Sequence, residues 1–161
     1  MNYFLLKSEP ESYSIDDFKK DKTTIWEGVR NYRARNIIRD EMKPGDLFFF
    51  YHSMDKNNGV VGIGEIVDNN IPDAAALDKK DYYYDPKATK EKNPWFSPKV
   101  KFVSKFNRAV SLDEIKKNKK LQNMVLLKIA RLSVQPVTKQ EFEIIKKLGE
   151  RGSIRKQNNA S

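Results

Sequence analysis

The side chains that could take part in chemistry are of the kinds that surround a nucleobase. Flat rings that could stack on a base occur at Trp26, Tyr32, Trp95 and Tyr82–Tyr84. Polar residues at predicted strand ends or beside apolar strands could bond to its edge: Lys7, Ser8, Asn31, His52, Ser53 and Gln135. An unstacked base needs both kinds of contact. The same rings could instead pack a core and the polar groups cap strands, but Trp26 favours base contact because an arginine-rich segment follows it.

Cysteine and histidine counts exclude several classes of enzyme and metal site. The chain has no cysteine and one histidine, which excludes disulfide scaffolds, cysteine-based zinc sites and thiol nucleophiles. The acidic residues are dispersed and the histidine has no partner at ligand spacing, so we expect no metal. We also expect no cofactor, because Gly59, Gly62 and Gly64 have the wrong spacing for a nucleotide-binding loop. A hydrolase that uses His52 as its base beside Ser53 stays an alternative, although general-base catalysis needs a partner to orient the histidine. We expect that the protein is not an enzyme.

Positive charge is concentrated in two places. Lysine and arginine number 31 against 22 acidic residues, a net charge of +9. Residues 1–107 carry 18 basic and 17 acidic residues, and residues 108–161 carry 13 and 5, so the net charges are +1 and +8. In the first part, four arginines lie within ten residues, at Arg30, Arg33, Arg35 and Arg39. This distribution favours a polyanionic partner, with a solubilising surface as the alternative.

The predicted elements are short strands and short helices. Periodicity predicts strands over Tyr3–Ser8, Leu47–His52, Val60–Val67, Lys99–Phe106 and Leu127–Gln135. It predicts helices from Ser14, over Arg33–Met42, from Ser111 and from Thr138, the last ending at Gly149. Residues 68–98 form a long irregular segment. We therefore expect an α+β fold, a closed or partly open small β-barrel of about five or six strands with short flanking helices.

The chain of 161 residues fits one domain. We place this domain at residues 1–149 and a flexible basic tail at 150–161. The first apolar run, Tyr3–Leu6, is too short for a signal peptide or a membrane span. We expect an intracellular monomer without a membrane partner, cytoplasmic or, in a eukaryote, nuclear.

Several segments resemble the EVE domain, the thymocyte nuclear protein family. They are LLKSEP (5–10), YSIDDF (13–18), WEGVRNYRARN (26–36), GDLFFFYHS (45–53), VVGIGEIV (60–67), YYDPK (83–87) and RLSVQPVT (131–138). The resemblance runs from about Tyr3 to Leu148. It implies a PUA-like barrel related to the YTH domain and a non-catalytic reader of modified bases, chiefly modified cytosine in DNA.

The resemblance also implies roles for residues of this chain. It puts the base pocket at Lys7, Ser8, Trp26, Gly28, Val29, Asn31, Tyr32, His52 and Ser53. Trp26 would be an aromatic wall, and Arg35 would lie nearby. We expect phosphate contacts from Arg30, Arg33, Arg35, Arg39 and Arg131. Further contacts with the pocket or its loops are expected from Tyr84, Asp85, Pro86, Trp95, Ser133 and Gln135.

The predicted partner is a nucleic acid that carries a modified base, DNA in preference to RNA. A reader of modified RNA, for example of methylated adenine, is one alternative. An enzyme that acts on nucleotides or RNA through His52 is another. A third is a protein that binds a small free ligand and whose basic surface is incidental.

Overall fold

Six strands form one mixed sheet, and helices cover both of its faces. The computed structural model describes the backbone of residues 1–160 and the side chains of residues 1–151. The strands are β1 (Tyr3–Ser8), β2 (Thr23–Ile25), β3 (Leu47–His52), β4 (Gly59–Asp68), β5 (Lys99–Ser111) and β6 (Val134–Val137). The α-helices are α1 (Ile15–Asp21), α2 (Tyr32–Asn36), α3 (Leu112–Lys117), α4 (Val125–Lys128) and α5 (Lys139–Ala160). The α+β class and the number of strands are as predicted.

The order of the strands leaves the sheet open. It is β2-β5-β4-β3-β1-β6, with β1 parallel to β3 and the other neighbours antiparallel. Within residues 1–160, β2 and β6 do not pair with each other, so the barrel is not closed. Of the two predicted forms, the closed one is therefore wrong. Both edge strands are short, three and four residues, which limits the unpaired backbone that a sheet edge presents.

The central strand β3 is buried on both faces, as its apolar sequence predicts. Phe48 and Phe50 pack with Phe18 of α1 in the core on one face. Phe49 and Tyr51 point to the other face, where Phe49 stacks on Phe142 of α5 at a ring-centroid distance of 4.5 Å. Alternation along the strand thus divides one apolar run between two cores.

Hydroxyl caps start three of the helices, as predicted. Ser14 begins α1 with a complete capping box, and Thr138 does the same for α5, where its Oγ accepts a hydrogen bond from the Glu141 N–H at 3.1 Å. The box predicted at Ser111 is only half present. Ser111 accepts from the Glu114 N–H, but the Glu114 carboxylate binds Arg108 at 2.8 Å instead of the cap.

The arginine-rich helix and the long irregular segment also form as predicted. The helix runs over α2 and continues as a π-helical turn over Ile37–Glu41. Residues 68–98 contain one 3-10 turn, Ala74–Leu77, and many side-chain hydrogen bonds. No helix within the described residues is both long and apolar enough to cross a membrane.

The strand predicted over Leu127–Gln135 is wrong. The segment begins in α4, turns, and becomes strand β6 only at Val134. The side-chain amide of Gln135 donates to the carbonyl oxygens of Ile129 and Leu132, at 3.3 and 2.8 Å, and this holds the turn. Apolar residues alternate here because two different elements each bury some of them, and the pattern resembles that of a single strand.

The helix end predicted at Gly149 is also wrong, because α5 continues to Ala160. A side chain at Gly149 would overlap the ring of Phe106 on β5. The glycine therefore permits close packing of helix on sheet instead of ending the helix. The side chains beyond Arg151 lie outside the described residues, and the flexible tail at 150–161 stays a prediction.

Candidate functional site

A cavity of about 380 Å³ opens at the edge of the sheet where β1 and β3 end. These two strands are parallel, so the residues after them lie side by side. The segment that leaves β2 and two loops complete the wall. The lining residues are Lys7, Ser8, Glu9, Ser12, Tyr13, Thr24, Ile25, Trp26, Glu27, Ser53, Tyr83 and Ser133.

Trp26 forms an aromatic part of the wall and is held by the core behind it. Its ring meets Phe50 at 5.3 Å and Tyr13 at 6.4 Å between centroids, both at steep angles. The backbone N–H of Trp26 donates to the carbonyl oxygen of Pro98 at 2.8 Å. Thr24 lies two residues before Trp26 in extended backbone, so both residues face the same side.

Tyr13 supplies a second ring. Its hydroxyl donates to the Asp21 carboxylate at 2.9 Å. Burial, together with that hydrogen bond, raises the pKa of Tyr13 to about 12, so the hydroxyl stays protonated at neutral pH. The ring therefore presents an uncharged aromatic surface to the cavity.

Tyr83 supplies the third ring and lies against Gly28. Gly28 has φ +91°, and a Cβ built there would lie 2.5 Å from the ring of Tyr83. The Arg30 guanidinium donates to the Tyr83 carbonyl oxygen from Nε and Nη2, at 3.0 and 2.7 Å. The absence of a side chain at Gly28 thus leaves room for the Tyr83 ring, and Arg30 fixes the backbone of Tyr83. Gly28 therefore contributes to the shape of the cavity through the position of this ring.

A buried carboxylate, that of Asp73, connects these parts. Asp73 accepts hydrogen bonds from the Gly28 N–H at 2.9 Å and from Arg30 Nη1 at 2.8 Å. Burial alone would raise the pKa of Asp73, but the bonds from Arg30 and Gly28 outweigh it and hold the pKa below its ordinary value. Asp73 was not among the predicted site residues, because nothing in its surroundings in the sequence distinguishes it from other loop acids.

The polar rim comes from the ends of β1 and β3. Lys7 Nζ donates to the Ala130 carbonyl oxygen at 2.6 Å, and burial lowers the pKa of this amine. The Ser8 hydroxyl donates to the Tyr13 carbonyl oxygen. The Ser53 backbone N–H donates to the Ser8 carbonyl oxygen at 2.9 Å. Backbone and side-chain bonds therefore fix the rim in place.

Five residues predicted for the base pocket do not line the cavity, and one of them is Gly28, which lies behind the ring of Tyr83. His52 Nε2 accepts a hydrogen bond from the Ile15 N–H at 3.1 Å, which joins β3 to the start of α1. Val29 is buried in the core, and Asn31 caps α2 by accepting from the Ala34 N–H. Tyr32 lies outside the cavity, its ring 4.8 Å from that of Trp95.

The arginines predicted to contact phosphate differ in how they are held. Arg30 binds Asp73, Arg39 binds Asp40, and Arg35 donates to the Pro94 carbonyl oxygen at 2.9 Å. The remaining two, Arg33 and Arg131, are exposed. Neither makes a side-chain hydrogen bond or ion pair to a residue whose side chain is described.

The loop residues predicted to contact the pocket separate in the same way. Ser133 lines the cavity, while Gln135 is buried beside it. Trp95 is 4% exposed and its indole N–H donates to Asp85 at 2.7 Å, so it supports the loop from within. Tyr84 and Pro86 are not among the lining residues.

The cavity can hold a flat ring, with aromatic groups beside it and hydroxyl and carboxylate groups at its rim. Glu9 and Glu27 bring the carboxylates, and burial with the charges of Asp73 and Asp81 raises the pKa of Glu27. Six lining residues were not predicted: these two acids, Ser12, Tyr13, Thr24 and Ile25. The spacing of Thr24 from Trp26 is a signal that could have identified it. Within the described residues, no group of three or more histidine or acidic side chains could hold a metal ion.

Comparison with known proteins assigns the chain to a family. Thymocyte nuclear protein 1 of Gallus gallus is 43% identical over 167 residues, which cover 92% of this chain and 69% of the relative. A crystal structure of human THYN1 in complex with 5-methylcytosine-containing DNA is 38% identical, with a TM-score of 0.88, and covers 93% of this chain and 98% of that one.

At the level of the fold alone, the Mmi1 YTH domain, in complex with RNA, is also similar. Its TM-score is 0.51 at 12% identity, over 96% of this chain and 81% of that chain. The fold is therefore similar to that of a YTH domain, as the sequence resemblance implied. The EVE domain model matches residues 2–148, and the chain belongs to the EVE domain family.

Proposed function

We propose that the protein is a reader of modified cytosine in DNA, and that the cavity beside Trp26 holds the modified base after it leaves the stack. The observation that carries the proposal is the cavity itself. Its volume of about 380 Å³ is bordered by the rings of Trp26, Tyr13 and Tyr83 and by several hydroxyl groups. Rings that stack on the faces of a base and polar groups at its edge are the two requirements for binding a flipped base.

The choice of DNA and of cytosine draws on a relative. Human THYN1, 38% identical to this chain, was crystallised with DNA that contains 5-methylcytosine. The net charge of +9 suits a polyanion in general, and the exposed Arg33 and Arg131 are available for phosphate. Because the relatives are named for the nucleus, we extend the proposal to nuclear DNA if the source is eukaryotic.

We propose no catalytic step for this site. His52 Nε2 accepts a hydrogen bond from the Ile15 N–H, so this nitrogen is not free to accept a proton from a hydroxyl group. Burial also lowers the pKa of the His52 ring. Ser53 lines the cavity but His52 does not. The arrangement supports binding without a histidine-activated hydroxyl.

The test is a titration of the protein with matched duplexes that differ in one base. One duplex carries a single 5-methylcytosine, the second carries cytosine there, and the third carries thymine, which keeps the methyl group and changes the pairing edge. We expect the modified duplex to bind most tightly and all affinities to fall as salt rises. Equal affinity for the three duplexes would disprove base reading, and affinity for free 5-methylcytidine equal to that for the duplex would favour the small-ligand alternative.

A further inference from the structure

Two exposed apolar side chains stand next to residues of the cavity wall, on two different turns. Met54 follows Ser53 and is 81% exposed, and Tyr82 precedes Tyr83 and is 93% exposed. Ser53 and Tyr83 both line the cavity. Single exposed apolar side chains are common on protein surfaces, and what distinguishes these two is that both adjoin the wall of one cavity.

Hydrogen bonds hold both turns, so the exposure is not a consequence of loose chain. On one turn the Asp81 carboxylate accepts from the Tyr83 N–H at 2.9 Å, and the Asp81 carbonyl oxygen accepts from the Tyr84 N–H at 3.1 Å. On the other, Asn58 Oδ1 accepts from the Asp55 N–H at 2.8 Å. Each exposed side chain therefore projects from a turn with a defined backbone conformation.

The backbone of Met54 adds an independent observation. Its φ is +54°, in the left-handed region that a residue with a long side chain rarely adopts. Glycine or asparagine would relieve this strain, and methionine does not. Residues other than glycine that are held in such strained backbone conformations are found preferentially at sites where ligands bind.

We propose that Met54 and Tyr82 are wedges that enter a DNA duplex on either side of the base held in the cavity. The inference rests on the proposed function and extends it to the form of the partner. Methionine and aromatic side chains inserted between base steps unstack them, and they can occupy the gap that an extruded base leaves. Only a duplex has such a gap and an unpaired opposite base, so the partner is double-stranded.

The experiment compares Met54→Ala and Tyr82→Ala with the wild-type protein on two probes. The first is a duplex with one 5-methylcytosine, and the second is the modified strand alone. Each alanine variant should lose about tenfold in affinity for the duplex, the scale of one lost stack, and keep the wild-type affinity for the single strand. Met54→Leu and Tyr82→Phe are the matched controls, which keep the apolar bulk and should bind both probes like the wild type.

Three results would contradict the proposed role of Met54 and Tyr82. The first is an unchanged affinity for the duplex in both alanine variants, and the second is an equal loss of affinity for the duplex and the single strand. The third is a wild-type protein that binds the modified strand only when this strand is not paired in a duplex. In the third case the cavity would still read the base, and the proposed function would survive. A wild-type protein that binds modified and unmodified probes equally would instead remove the proposed function, and the wedges with it.

Discussion

The Nη1 atom of Arg30 lies 2.8 Å from the Oδ2 atom of Asp73, whose side chain is fully buried. The same carboxylate also accepts from the backbone N–H groups of Gly28 and Ala75. Arg30 in turn donates to the Tyr83 carbonyl oxygen. The pair thus ties the segment that begins at Trp26 to the long irregular segment, and these two segments supply two of the aromatic groups of the cavity, Trp26 and Tyr83.

Arg30→Ala should therefore destabilise the fold. It leaves the Asp73 carboxylate buried without its cation, so we expect the free energy of unfolding to fall by about 3 kcal/mol. Urea unfolding at neutral pH measures the change. Arg39→Ala is the matched control, because its partner Asp40 is exposed, and its stability should equal that of the wild type. Equal effects of the two variants would show that the buried pair has no special role.

Trp26→Ala should reduce base discrimination more than total affinity. The difference in binding free energy between duplexes with 5-methylcytosine and with cytosine should shrink by about 1–3 kcal/mol, the scale of one base stack. Trp26→Phe keeps an aromatic ring there and should retain most of the difference. Because Trp26 also packs against Phe50, thermal unfolding must first show that both variants are folded. An unchanged difference in Trp26→Ala would remove this ring from the base site.

Arg33→Ala and Arg131→Ala should weaken DNA binding without changing the preference for a base. If each arginine contacts one phosphate, its loss lowers the slope of log affinity against log salt concentration by about 1. Arg39→Ala should change the slope less, because Asp40 already neutralises this guanidinium. The measurement is a series of titrations across salt. An unchanged slope in both Arg33→Ala and Arg131→Ala would place the phosphate contacts elsewhere.

The fold should become less stable in mild acid because His52 is then protonated more readily in the unfolded chain than in the folded one. Burial lowers the pKa of His52 below its ordinary value of about 6.5, so below that pH the unfolded chain binds more protons than the folded one. Stability is then full above about pH 6.5 and falls as the pH drops below it. Urea midpoints between about pH 7.5 and about pH 5.5 measure the loss. His52→Gln keeps an acceptor for the Ile15 N–H but does not titrate, so its midpoint should fall less, and an equal fall would contradict the assignment.

Short-range patterns predicted most of the elements correctly. The hydroxyls of Ser14 and Thr138 begin helices because an N-cap needs only a few neighbouring residues. The run from Leu47 to His52 is a buried strand because its apolar residues face both sides. Two predictions of secondary structure failed, the strand to Gln135 and the helix end at Gly149. In the first place the chain changes from one element to another, and in the second a contact with a distant residue outweighs the local pattern.

Sequence by itself determined the family resemblance, the α+β class and the concentration of charge, and it predicted a base site around Trp26. The tertiary structure decided which polar groups meet at the cavity. The parallel pairing of β1 with β3 brings Ser8 beside Ser53, and the buried Asp73 binds Gly28 and Arg30, each more than forty residues away in the sequence. Such contacts depend on the path of the chain across the sheet, which local spacing does not encode. For the same reason, local spacing could not predict that His52 and Trp95 support the site from outside the cavity.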